Sequence, residues 1–131
     1  MRALKIFHAL PLSGYTDEEN ERRIQEEDKE ITDLFKKANI DIVIVHPHMD
    51  PLTDELILHQ LRKPQLYYFG LSLAEGIAQS DMIVFGHGWS DAKGCTIEHI
   101  IAQNYDIPFA ELDNTNPTEL MEIAEKIWDK E

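Results

Sequence analysis

Glu98 stands out by its placement. It follows Asp-Ala-Lys-Gly-Cys-Thr-Ile (residues 91–97) and falls about one turn into a stretch of helical spacing. Asp91, just upstream, supplies a second carboxylate. Two carboxylates at one sugar are what glycosyl chemistry asks for: one attacks or stabilises the anomeric carbon and the other handles protons. The competing reading is a surface glutamate beside a capping aspartate. Groups that could hold a ligand surround the pair. Gly88 and Gly94 belong to the loop, Lys93 could neutralise a phosphate, and Trp89 offers a flat π-face to a base. Equally, Lys93 could be solvated surface and Trp89 a packing residue. Ser13-Gly14, at the entry to an earlier helical stretch, is a short candidate for an anion cradle of backbone N–H groups, or a simple turn and cap. The six histidines (8, 46, 48, 59, 87 and 99) are scattered. No cysteine or carboxylate spacing joins them, so no metal and no cofactor is expected. A dinucleotide fingerprint, a Walker A loop, zinc spacing and a nucleophile elbow are all missing.

The elements that must position Glu98 follow from apolar patterning. Met82–Phe85 reads as a buried strand, a loop with Gly86, Gly88 and Gly94 follows, Ile97, Ile100, Ile101 and Tyr105 have helical spacing, and Ile107–Ala110 is a second short apolar run. Strand, loop, helix, strand is a right-handed βαβ crossover whose loop leaves a strand's carboxyl end, where open α/β sheets place ligands. Upstream, Leu4–Leu10 is a strand candidate. Thr16 with Glu19 is a capping box, and Ile24, Ile31, Leu34, Phe35 and Ala38 form one helical stripe opposite Glu21, Arg22, Glu26, Glu27, Asp28 and Lys29, which read as a solvated face that needs no function. Asp41–Val45 is an unbroken β-branched run suited to a parallel strand covered on both faces. Residues 47–65 read as a partly helical excursion over the ligand edge, with room for a short fifth strand. Leu66, Phe69, Leu73 and Ile77 share a face of a helix over 66–79, and close packing would explain Gly70 and Gly76. Asn116-Pro117 opens a last helix. Alternation of this kind predicts a single domain of class α/β, a doubly wound parallel sheet of four to five strands with helices on both faces.

Composition bounds the partners. The 131 residues carry 25 Asp and Glu against 12 Lys and Arg, a formal charge of −13. That field repels nucleic-acid polymers and anionic membranes but leaves room for a small nucleotide. The lone Cys95 fits a reducing compartment, and neither a leader nor an apolar run long enough for a membrane helix is evident. A cytoplasmic protein is expected.

The chain resembles the nucleoside 2-deoxyribosyltransferase-like superfamily over nearly its whole length, above all its small phage and prophage branch. The resemblance rests on Leu10-Pro11-Leu12-Ser13-Gly14, Gly70-Leu71-Ser72-Leu73, Ser80-Asp81-Met82-Ile83-Val84-Phe85, and most specifically Gly88 to His99, with Tyr105-Asp106-Ile107-Pro108 after it. It implies a flavodoxin-like sheet and no cofactor. It implies Glu98 as the nucleophile on the deoxyribose anomeric carbon, Asp91 as an assisting acid, and Ser13 and Gly14 as first-loop ligand contacts. The ligand implied is a small-molecule nucleoside or nucleoside 5′-monophosphate. The departing base is protonated by Asp91 or solvent, and water or a second base resolves the glycosyl-enzyme. Burial is expected to leave Glu98 ionised yet poorly solvated. Self-association into a homo-oligomer is also implied. Cys95-Thr96-Ile97 replaces the usual small-residue run, and Ile100 and Ile101 stand where glycine is common. The alternative is therefore a non-catalytic nucleotide-binding or sensing module of the same fold.

Overall fold

The computed structural model describes residues 1–46 and 59–131. Strands β1 (Leu4–Ala9), β2 (Ile42–Val45), β3 (Met82–Phe85) and β4 (Phe109–Glu111) form one sheet in the order β2-β1-β3-β4. Every pairing in it is parallel. Among the described residues, helices α1 (Asp17–Lys37), α2 (Pro64–Leu71), α3 (Lys93–Asn104) and α4 (Pro117–Asp129) connect and follow the strands.

The alternation of strand side chains decides which helix covers which face. Leu4, Ile6, Met82, Val84 and Ala110 point one way, onto Ile31 and Phe35 of α1 and Leu120 and Ala124 of α4. Phe7, Ala9, Ile83 and Phe85 point the other way, onto Ile77 and onto Cys95 and Ala102 of α3. Helices on both faces of a parallel sheet make the expected doubly wound, flavodoxin-like α/β fold. The chain leaves β1 for one face and β3 for the other, so the two loops part above the β1–β3 boundary. A crevice opens where they part.

Local signals account for the element ends. Thr16 accepts from Glu19 N while the Glu19 carboxylate accepts from Thr16 N, closing the capping box of α1. Asn39, at φ 61, turns the chain out of that helix. Asn116 caps α4 with Pro117 in its first turn.

Two expectations differ from the structure. The β2 run, expected to be covered on both faces, is an edge strand with Val43 55% exposed. Its β-branched residues supply strand propensity rather than two-sided burial. The helix expected over 66–79 is broken into α2, a π-helical turn at Ser72–Gly76 and a 3₁₀ turn at Ile77–Gln79, and Leu66 is 64% exposed. The cause lies at Gly76, where a Cβ would sit 2.4 Å from the Phe7 ring. The backbone is pressed onto β1 there and the helical register shifts to allow it. Gly70 meets no such neighbour. Of the excursion expected over 47–65, residues 47–58 lie outside the described residues.

Candidate functional site

A cleft of about 530 Å³ opens at the carboxyl edge of the sheet, within the size range of small-molecule sites. Its floor is the end of β1, Phe7–Leu10. Leu12 and Ile24 line one side, Val45 and His46 another, and Tyr68, Leu71 and Ser72 a third. Glu98 reaches it from α3.

Glu98 is carried by the buried stripe Cys95, Glu98, Ala102 of α3. Ile97 and Ile100, at the same helical spacing in the sequence, are 46% and 54% exposed. Glu98 is 5% exposed, and its Oε2 has no hydrogen-bond partner among the described residues. Burial without a compensating donor pushes its pKa up to about 7. The same lack of solvation disfavours the ionised form relative to an ordinary carboxylate. The same burial, with the charges of Glu98 and Glu27 near it, pushes the Cys95 thiol up to about 12, which leaves it an inert thiol.

The other candidates stand elsewhere. Asp91 is exposed in the 3₁₀ turn Trp89–Asp91, ahead of α3. Lys93 is exposed at the first residue of α3, and Gly94 beside it meets nothing at its Cβ position. Gly88, at φ 78, serves the turn through its left-handed backbone. The Trp89 ring lies flat on His99, 4.2 Å away and 6° from parallel, with Phe85 behind. Ser13 and Gly14 form an exposed turn before α1. None of these residues lines the Glu98 cleft.

Four residues not singled out by spacing complete the site. His8 continues the inward parity of Leu4 and Ile6 and ends beneath α1 with its side chain 3% exposed. Its Nδ1 is 2.7 Å from Asp28 Oδ1, and its Nε2 is 2.8 Å from Glu27 Oε1. Burial disfavours a charged imidazole, yet the hydrogen bonds and charges of Asp28 and Glu27 outweigh it and raise the His8 pKa above the usual 6.5. Asp28 also pairs with His46 Nε2 at 3.2 Å. Gly86 makes the cluster possible: a Cβ there would lie 2.0 Å from Glu27 Oε1 and 3.0 Å from His8 Nε2. The signal was present as a gap. The α1 stripe jumps from Ile24 to Ile31, and the missing turn is filled by Glu27 and Asp28. Among the described residues, no group of three or more His, Cys, Asp and Glu is placed to hold a metal ion.

A second depression, about 510 Å³, lies at the opposite edge, where Asp81 and Asp106–Pro108 lead into β3 and β4. Asp81 there is committed to Arg2, at 2.7 and 2.9 Å, and to Lys5 N. The carboxyl-edge cleft is the chemically equipped one.

No helix among the described residues is long and apolar enough to cross a membrane. Comparison of the chain with protein-family models, with curated proteins and with solved structures gives no match.

Proposed function

We propose that the protein cleaves or transfers at the N-glycosidic bond of a (deoxy)nucleoside, with Glu98 as the nucleophile at the anomeric carbon. The observation that carries this reading is the unpartnered, buried Glu98 oxygen in a cleft above the β1–β3 boundary. A structural glutamate at 5% exposure would be paired or hydrogen-bonded, since an unsatisfied buried carboxylate is costly. A nucleophile needs a free oxygen and poor solvation.

The walls favour a neutral nucleoside over its monophosphate. No Lys or Arg lines the cleft among the described residues, and residues 47–58 contain none. Arg23, the nearby cation of α1, is spent on Pro11 O, Asn20 Oδ1 and the Tyr15 ring. The α1 amino end is already capped and carries Asp17, Glu18 and Glu19.

The test is release of free base from a panel of deoxynucleosides and their 5′-monophosphates, by the wild type and by Glu98→Gln. The wild type is expected to release base, faster from nucleosides, and the variant to lose at least about 100-fold. Equal release by both proteins would refute the assignment. A saturable shift in melting temperature without base release would select the binding module instead. Self-association belongs to the same proposal and is supported by exposed Ile97, Ile100 and Tyr105 along α3. Sedimentation of a monomer at all concentrations would remove it.

A further inference from the structure

Glycosidic cleavage leaves an electron pair on the departing base, and the cleft must supply a proton there. Asp91 is exposed and outside the cleft wall. His8 lines the cleft, but both of its ring nitrogens are engaged by Asp28 and Glu27. His87, between Asp113 and Glu30, and His99, beneath Trp89, do not line it. His46 is different. It lines the cleft, its side chain is 57% exposed, and among the described residues only Nε2 is paired, with Asp28 at 3.2 Å. Nδ1 is left for a ligand.

Resting on the N-glycosidic reading above, we propose that His46, oriented by Asp28, protonates the departing base, with His8 and Glu27 holding Asp28 in place. The placement suits displacement. Nucleophile and leaving group lie on opposite sides of the anomeric carbon. Glu98 enters from α3, beyond β3, whereas His46 follows β2, two strand spacings or about 10 Å from β3. The end of β1 lies between them as the floor. Among the described residues, the titratable groups around the cleft besides His46 are His8 (β1), Tyr68 (α2) and, across the floor, Glu98 (α3), with Asp28 (α1) paired to His46.

The steps balance. A Glu98 oxygen bonds to the anomeric carbon, the carbon–nitrogen bond breaks, and its electron pair takes the proton from His46 Nδ1. The base leaves neutral, and Nε2–H still faces the Asp28 carboxylate. Water then attacks the anomeric carbon, His46 Nδ1 takes its proton, and the Glu98 carboxylate is released. Asp28 is a positioning residue and touches no reacting atom.

Leaving-group dependence tests this. Deoxyadenosine needs a proton to depart, whereas 2′-deoxy-7-methylguanosine carries a base that leaves without one. His46→Ala is expected to lower kcat about 100-fold on the first and less than tenfold on the second. Added imidazole should restore part of the loss. Asp28→Asn should lower kcat on deoxyadenosine with KM little changed. Activity of His46→Ala on the methylated substrate also reports that the variant is folded. Equal losses on both substrates, or no loss on either, would overturn the assignment. A wild type inactive on both would instead overturn the glycosidic reading, and this assignment with it.

Discussion

A single carboxylate is held at a thermodynamic disadvantage. Burial pushes the Glu98 pKa up from 4.5 to about 7, so its ionised form costs about 3 kcal/mol in the folded chain. Between those values the folded protein binds the proton more tightly than the unfolded one, so this contribution to stability is present at low pH and is lost as pH rises through about 7. Glu98→Gln removes the charge and keeps the shape. It should stabilise the protein by about 3 kcal/mol at pH 8 and by little at pH 4.5. Urea unfolding at the two pH values checks this, and a gain of equal size at both would show that burial does not govern the group. His8 is the counterpart: a buried imidazole whose charge is favoured by Asp28 and Glu27. Neither role is visible in a residue's identity. Glu98 was legible as a candidate because it stands in a loop-to-helix entry after a strand. His8, Glu27 and Asp28 were not, because on a helical wheel two carboxylates beside other charged residues look like solvated surface.

The helix and strand ends were the most legible elements, because caps and turns are local. Thr16 with Glu19, Asn39, and Asn116 with Pro117 each do in the structure what their types suggest. What the spacing concealed depends on neighbours distant in sequence. Ile97 and Ile100 outrank Cys95, Glu98 and Ala102 in hydrophobicity, yet α3 turns the latter three inward, with Cys95 and Ala102 packed in the cluster of Phe7 and Phe85. Edge position, not composition, exposes Val43. The π-helical turn answers to Phe7, more than sixty residues upstream. Gly76→Ala should therefore destabilise by roughly 1–3 kcal/mol, since a Cβ 2.4 Å from a ring that is 5% exposed forces both to move. Gly70→Ala, with nothing near its Cβ, should be neutral or stabilising within about 1 kcal/mol. Chemical denaturation of the two variants separates them, and equal effects would contradict the register-shift explanation.

For the whole molecule, the same signs add. Glu98, with its raised pKa, favours the folded state below about pH 7, and His8 and His87, also raised, favour it below 6.5 and lose that contribution as pH climbs through their folded values. A formal charge of −13 at neutrality adds self-repulsion that eases on acidification. Asp81, held below its usual 3.8 by Arg2, withdraws support only at still lower pH. The melting temperature should therefore peak between about pH 4.5 and 6.5 and fall toward pH 9. A flat or rising profile to pH 9 would contradict the buried-charge account. The central claim, that the free oxygen of Glu98 bonds to a sugar, is tested most directly by intact-protein and peptide mass spectrometry after acid quenching with a deoxynucleoside. The account predicts a deoxyribosyl adduct on the peptide containing Glu98 and none in Glu98→Gln. Base release with an adduct on another residue, or with no adduct at any quench time, would contradict it.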